Sequence, residues 1–277
     1  MTEERINTNE LIEIAKLLRY KTIKTSHEAS IPHLGSCLSC VELLVYLYWN
    51  ELNLKIADAN FEDRDRFILS KGHGAPILFQ VLAEKGFFNK DLLKTAGQNG
   101  SLFHEHPPKP GFVPGIEAAT GSLGHGLPIS LGMALAAKIE NKSYRTYSLV
   151  SDGECNEGSI WESAMFAASN SLYNLTVIID FNKWQATGRS REIMALEPLK
   201  EKWEAFGWHS QDINGHDFNE IKEAFINAKQ NKCKPSVIIA NTVKGKGISF
   251  MEDNNNWHYR IPNEKELEDA LNELEIN

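Results

Sequence analysis

The chain is poor in cysteine and has no long apolar run. Four of its 277 residues are cysteines, and Cys37 and Cys40 form a single C-x-x-C without a second pair at metal-ligand spacing. We therefore interpret them as buried or partly buried thiols, not as a redox or metal centre. No stretch approaches the roughly 20 apolar residues that cross a bilayer, and Met1–Asn9 lacks the features of a secretory signal. These absences predict a soluble, cytoplasmic protein without a membrane partner.

Excess positive charge is also missing. The formal net charge is −8, and both signs are scattered along the chain. Because nucleic-acid phosphates favour a basic surface, we expect no nucleic-acid partner. A chain of this length with 42% hydrophobic residues can bury a large core. It contains no repeat or linker that divides it, so residues 1–277 are expected to form one domain.

The second half of the chain alternates apolar strands with helices. Strands are predicted at 66–69, 146–150, 175–180, 208–212 and 236–240. This alternation indicates a doubly wound α/β fold, with a mostly parallel sheet and helices on both faces. We place the αβ core at about 64–241. A helical segment at about 9–50, interrupted by a polar loop with Pro32 and Gly35, precedes the core, and a loop and helix at about 242–275 follow it. Residues 98–122 predict no regular element, and a loop of this length is often functional.

Polar residues follow two of the predicted strands. Asp152-Gly153-Glu154 comes after the strand at 146–150, and Asn182 follows the strand at 175–180. The carboxyl ends of parallel strands meet at one edge of a sheet, where ligands bind. Carboxylate and amide oxygens suit Mg²⁺, and Gly153 with the following helix N-terminus suits a diphosphate. The alternative is an ordinary Asp-Gly turn and a loop asparagine.

This arrangement resembles the thiamine diphosphate fingerprint shared by transketolases, decarboxylases and 2-oxo-acid dehydrogenases. Those families usually have Gly before the Asp, where this chain has Ser151. The resemblance implies thiamine diphosphate and Mg²⁺ as cofactors, with Ca²⁺ or Mn²⁺ as possible substitutes. It implies metal binding by Asp152, Asn182 and the main-chain carbonyl of Trp184.

Further segments narrow the resemblance to transketolase. His-Leu-Gly-Ser-Cys-Leu-Ser at 33–39, Ser-Lys-Gly-His at 70–73, Thr-Gly-Ser-Leu-Gly at 120–124 and Thr-Val-Lys-Gly-Lys-Gly at 242–247 are similar to that family in order and spacing. The similarity covers roughly residues 10–260. It implies reversible transfer of a two-carbon ketol unit from a ketose or its phosphate to an aldose or its phosphate.

The resemblance also implies roles for individual residues. His33, His106 and His258 take catalytic positions. The implied cofactor contacts are His73, Gly121, Leu123, Gly153, Glu154, Asn182 and Lys244. Glu157 and Glu162 fall where the family has carboxylates between active sites, although a charged helix start and face would look the same. His125 and Leu34 depart from the family's Gln and Pro, so the sugar preference is expected to differ.

In the family, the Glu that activates the cofactor lies on a second α/β domain. No second run of alternating strands follows in this chain. We therefore expect a C-terminal transketolase subunit to supply the pyrimidine-binding and C-terminal domains, in an α2β2 assembly that acts on sugar phosphates. The alternatives are an α subunit of a 2-oxo-acid dehydrogenase, which would not explain the histidine segments, and a non-catalytic cofactor-binding partner subunit.

Overall fold

A computed structural model describes residues 5–276. The helices of this part, α1 to α10 in chain order, are Thr8–Ala29, Leu34–Leu38, Val41–Tyr46, Ala75–Lys85, Gly126–Ile139, Gly158–Ser169, Ser190–Ile193, Leu199–Ala205, Phe218–Gln230 and Glu264–Glu273. The strands, β1 to β7, are Arg66–Leu69, Thr146–Ser151, Leu175–Phe181, Trp184–Gln185, Gly188–Arg189, His209–Asn214 and Ser236–Asn241. Short 3₁₀ turns lie at Gly72–Gly74, Lys90–Thr95, Gly153–Asn156 and Asn255–His258, and a π-helical turn at Leu47–Glu51.

Five strands form a parallel sheet in the order β1-β2-β3-β7-β6, while β4 and β5 form a small antiparallel hairpin. Each strand of the sheet begins and ends within two residues of its prediction. The central strand β3 is buried along its whole length, because both faces of the sheet are covered. The predicted doubly wound α/β fold is therefore confirmed.

The two faces of the sheet form separate cores. Helices α1, α3, α4 and α9 cover one face, where Ile178 of β3 is buried. Helices α5, α6 and α8 cover the other face, where Val177 and Ile179 of the same strand are buried. Successive strand residues point to opposite faces, so the apolar run 177–179 contributes to both cores. The strand ends are thereby fixed between two helical layers.

The N-terminal segment differs from its prediction in one place. Helix α1 begins with a capping box, in which Asn7 and Glu10 each bond the other's backbone N–H. The loop expected after it is in part the short buried helix α2, which begins directly after His33. The segment 98–122 contains no helix or strand, as predicted. Within residues 5–276, no helix is long and apolar enough to span a membrane.

The second core depends on a cluster of tryptophans around Trp203, which is fully buried. Its ring centroid lies 5.4 Å from that of Trp161 and 4.8 Å from that of Trp208. Trp203→Ala should destabilise the protein by about 3–5 kcal/mol, since it removes a large buried side chain and leaves a cavity. Urea unfolding measures this loss. The exposed Tyr173→Ala serves as the control and should change stability by less than about 1 kcal/mol.

Candidate active site

The predicted metal ligands meet at the carboxyl edge of the sheet. Asp152, directly after β2, accepts hydrogen bonds from the backbone N–H of Lys183 at 2.9 Å and from Ser190 Oγ at 2.7 Å. Asn182, directly after β3, accepts one from the backbone N–H of Trp184 at 3.0 Å. Lys183 adopts a left-handed conformation with φ of 68°, which turns the chain between Asn182 and Trp184. The structure thus brings the two strand ends together, while their binding of a metal stays a prediction.

The electrostatics of Asp152 fit a bound cation. The side chain is fully buried, and burial raises the pKa of its carboxyl from 3.8 to about 7, although the bond from Ser190 opposes the rise. Within residues 5–276, no lysine, arginine or histidine forms an ion pair with it. Such a carboxylate is costly unless a cation compensates it. One carboxylate, one amide and one carbonyl form the oxygen ligand set that Mg²⁺ prefers.

The described part of the chain contains no group of three or more His, Cys, Asp or Glu side chains suited to a metal. A zinc-type or multi-carboxylate centre is therefore absent from residues 5–276. The edge with Asp152 and Asn182 differs from such centres, because it has only one predicted carboxylate ligand. Most of the metal ligands would then be oxygens from other groups. That is the usual way in which Mg²⁺ is held with a diphosphate.

A buried ion pair behind this edge was not predicted from the sequence. The side chains of Lys71 and Asp180 are fully buried and hydrogen-bonded to each other. Asp180 also accepts from Ser39 and Thr242, and Lys71 donates to the carbonyl of Ser36 at 2.7 Å. Burial alone would raise the pKa of Asp180, but the Lys71 ammonium and these donors hold it below its ordinary value. The pair joins the end of β3 to the loop after β1.

Three of the four predicted active-site histidines surround His33. The ring centroid of His33 lies 4.8 Å from that of His258, 5.6 Å from that of His73 and 6.3 Å from that of His106. Its backbone N–H donates to the carbonyl of His258 at 2.8 Å. Its φ of 71° lies in the left-handed region, and its buried Nδ1 has no hydrogen-bond partner. Strain and an unpartnered buried atom are typical of a ligand site.

Lys244 connects this cluster to the strand edge. Its ammonium donates to Asn255 Oδ1 at 2.6 Å and lies 3.2 Å from His258 Nδ1. Burial lowers the pKa of Lys244 to about 8, and Lys71 adds to the effect, whereas Asp152 opposes it. Burial, with Lys244 next in effect, lowers the pKa of His258 to about 3. His258 is therefore neutral at physiological pH and able to accept a hydrogen bond.

The depressed pKa of His258 predicts acid sensitivity. Below about pH 6.5 the unfolded chain protonates this imidazole whereas the folded protein does not, so stability falls as the pH drops towards 3. His258→Asn should reduce the difference between urea midpoints measured at pH ~7.5 and ~5. The exposed His104→Asn is the control, and an equal reduction by both variants would contradict the assignment.

Glycines and one glutamate hold the predicted cofactor loops together. Glu154 is buried and accepts from Ser70, from the backbone N–H of Gly124 at 3.0 Å and from that of Ser151 at 2.8 Å. It thereby joins three loops, and its contact with the cofactor stays a prediction. A Cβ on Gly72 would lie 2.6 Å from the carbonyl oxygen of Thr120, so only glycine permits this approach.

The remaining predicted residues lie around these loops. A Cβ on Gly121 would lie 3.7 Å from the ring of His106, which places this exposed histidine beside the predicted cofactor loop. A Cβ on Gly153 would lie 3.4 Å from Cγ of Gln185. Leu123 is half-buried, and its carbonyl lies 3.0 Å from Nδ1 of the exposed His125. Each of these assignments stays a prediction.

Outside the cluster, Glu157 and Glu162 are exposed at the start and on the surface of α6, and Leu34 is buried. Cys37, Cys40 and Cys155 are free and buried, as predicted, whereas Cys233 is exposed. Burial raises the pKa of Cys37 and of Cys40 to about 12, so both thiols are unreactive near neutral pH.

Comparison with known proteins agrees with this geometry. The sequence pattern of the family described as transketolase, thiamine diphosphate binding domain, matches residues 9–276. The chain is 39% identical over 256 residues to an apulose-4-phosphate transketolase subunit from Phocaeicola vulgatus, covering 92% of this chain and 90% of the relative. It is 40% identical over 275 residues to a 6-deoxy-6-sulfo-D-fructose transketolase subunit from Clostridium sp. (strain MSTE9), covering 99% and 98%.

The fold is similar to that of a solved enzyme. The crystal structure of transketolase from Campylobacter jejuni superposes with a TM-score of 0.93 at 29% identity, covering 98% of this chain and 44% of that one. The chain therefore spans nearly all of the two related subunits but less than half of the crystallised transketolase. The match over residues 9–276 and the identity to these relatives show that the chain belongs to the transketolase family and corresponds to its thiamine diphosphate binding domain.

Proposed function

We propose that this chain is the thiamine-diphosphate-binding subunit of a two-subunit transketolase. With a partner, it would transfer a two-carbon ketol unit reversibly from a ketose phosphate to an aldose phosphate. The observation that carries the proposal is the convergence of His33, His73, His106 and His258 beside the strand edge where Asp152 and Asn182 meet. A diphosphate site alone would not require four neighbouring imidazoles.

The strand edge would hold the diphosphate end of the cofactor. We assign Asp152, Asn182 and the Trp184 carbonyl to Mg²⁺, on the basis of the full burial of Asp152 and of its lack of an ion-pair partner within residues 5–276. The cofactor contacts are assigned to His73, Gly121, Leu123, Gly153, Glu154 and Lys244, with Glu154 acting through the loops that it joins. When bound, thiamine diphosphate supplies the nucleophilic carbon that attacks a ketose carbonyl.

The histidines would act on the sugar. Burial lowers the pKa of both His33 and His258, which favours the neutral imidazole of each at physiological pH. Neutral imidazoles can exchange protons with sugar hydroxyls and donate hydrogen bonds to a developing alkoxide. His106 lies at the exposed rim, where we assign it to substrate hydroxyls.

The relatives support a partner subunit. Two proteins that align with this chain along at least 90% of their length are named as transketolase subunits. We propose that a C-terminal subunit supplies the activating Glu, in an α2β2 assembly with Glu157 and Glu162 near the contact. In this proposal residues 1–277 act as one cofactor-binding domain. The cytoplasmic location stays a prediction.

The sugar is proposed at the level of class. The related subunits carry names that specify a phosphorylated and a sulfonated sugar. Both are ketose-type substrates with an anionic end, so we propose the same class here. Leu34 and His125, which depart from the family pattern, lie beside the histidine cluster and the predicted cofactor loop.

Turnover with the partner subunit tests the proposal. Xylulose 5-phosphate with ribose 5-phosphate, and a panel of other phosphorylated and sulfonated ketoses, should yield transfer products only when both subunits, thiamine diphosphate and Mg²⁺ are present. His258→Asn should lower kcat by at least about 100-fold, the usual effect of losing a general acid or base. Turnover of a 2-oxo acid alone, or cofactor binding without turnover of any ketose, would overturn it.

A further inference from the structure

Four side chains tie the hairpin β4–β5 to the loop before His258, and we call them the clasp: Trp184, Arg189, Asp253 and Asn255. Asp253 accepts from Trp184 Nε1 at 2.7 Å and from both Nη atoms of Arg189 at 2.6 and 2.5 Å. The guanidinium carbon of Arg189 lies 3.8 Å from the centre of the Trp184 ring. Asn255 Nδ2 donates to the carbonyl of Ala186, in the hairpin turn, at 3.0 Å.

The clasp also holds Lys244. The backbone N–H of Asp253 donates to the Lys244 carbonyl at 2.8 Å. Asn255 Oδ1 accepts from the Lys244 ammonium at 2.6 Å. The clasp therefore bonds the hairpin to both the main chain and the side chain of Lys244, which itself contacts His258.

We propose that Asp253 is a positioning residue for the cofactor site. Its carboxylate holds the hairpin, which carries the predicted metal-binding carbonyl of Trp184, against the segment with Lys244 and His258. Both parts of the cofactor site then behave as one rigid unit. The inference rests on the proposed function, and it assigns to Asp253 an action through Trp184 and Lys244 without contact to substrate or metal.

The exposure of the clasp determines how it acts. The side chains of Arg189 and Asp253 are 29% and 55% exposed, and an exposed ion pair adds little to global stability. A bidentate pair with a stacked guanidinium nevertheless fixes the local geometry of the groups it joins. The expected effect is therefore local ordering of two loops, with little change in the free energy of unfolding.

The backbone at Asp253 dictates the test variant. Its φ is 54°, in the left-handed region that asparagine and aspartate tolerate better than most residues. Asp253→Asn therefore keeps the backbone and removes the charge that binds Arg189. Glu62→Gln is the matched control, because Glu62 forms an exposed ion pair with Lys142, before the start of β2 and outside the clasp.

Hydrogen exchange of the cofactor-free protein tests whether Asp253 orders the hairpin β4–β5 and the loop before His258. In Asp253→Asn, amides of residues 184–189 and 254–258 should exchange about fivefold faster, whereas those of β3 stay unchanged. Glu62→Gln should leave all of these rates unchanged. Unaltered exchange at 184–189 in Asp253→Asn would overturn the proposal, whether or not the chain binds thiamine diphosphate.

Titration with thiamine diphosphate and Mg²⁺ tests whether the clasp contributes to cofactor affinity. Asp253→Asn and Arg189→Gln should each weaken cofactor binding about three- to tenfold, and the double variant should be no weaker than either single variant, since they remove one shared interaction. Arg189→Lys should recover part of the loss, and ~0.5 M salt should narrow the gap to the wild type. Additive losses, or no loss, would overturn the proposal. Failure of the wild type to bind the cofactor in the presence of the partner subunit would count against the proposed function, with the exchange data still deciding on the clasp.

Discussion

Asp152→Asn should abolish the Mg²⁺-dependent part of thiamine diphosphate binding. We expect the affinity to fall at least about 100-fold, or about 2.8 kcal/mol, because the variant removes the only charged ligand assigned to the metal. Isothermal titration with and without Mg²⁺ measures the loss. Unchanged affinity would remove the metal site from this edge of the sheet, and with it the basis for the cofactor assignment.

The same variant should not destabilise the cofactor-free protein. Burial raises the pKa of Asp152 to about 7 in the folded state, so ionisation above that pH favours the unfolded chain. The cost is absent below pH ~3.8 and complete above pH ~7, and an amide at this position removes it. Urea unfolding at pH ~8 should therefore show equal or higher stability for Asp152→Asn.

Two further variants, one that should weaken binding and one control, separate loss of metal binding from a nonspecific effect on the protein. Ser190→Ala removes one hydrogen bond to Asp152 and should weaken cofactor binding about tenfold, as for other groups that orient a metal ligand. Asp212→Asn changes an exposed carboxylate on the edge strand β6 and should leave binding unchanged. A loss in Asp212→Asn as large as that in Asp152→Asn would indicate a nonspecific effect of charge.

The sequence predicted the parts of the site that follow from local pattern. Asp152 and Asn182 could be placed together because each directly follows an apolar strand, and parallel strands align their ends. The roles of His33, His106 and His258 follow from the resemblance to transketolase. Their convergence depends on the sheet order and could only be expected through the family resemblance.

The parts that were missed depend on contacts between distant segments. The pairing of Lys71 with Asp180 and that of Arg189 with Asp253 leave no local pattern in the sequence. Pro32 and Gly35 predict a loop here, whereas the structure contains the helix Leu34–Leu38. It forms because tertiary packing buries it, and Gly35 is needed there, since a Cβ would lie 2.9 Å from the Lys244 side chain.

Asp180→Ala should destabilise the protein by about 3–5 kcal/mol, because it leaves the Lys71 ammonium buried without its counter-charge. Urea unfolding measures the loss, and Asp212→Ala should cost less than about 1 kcal/mol. Combining Asp180→Leu with Lys71→Met should recover much of the stability, since two apolar groups can replace a buried ion pair.

Substitution of the two buried carboxylates at this edge, Asp180 and Asp152, should therefore have opposite effects on the stability of the cofactor-free protein. Asp180 has a lysine partner, and its loss leaves an unpaired charge. Asp152 has no such partner within residues 5–276, and its loss removes an unpaired charge. A small effect of Asp180→Ala would mean that Lys71 is neutral in the folded protein. The two carboxylates would then no longer differ in their effect on stability, and this difference would no longer support Asp152 as the metal ligand.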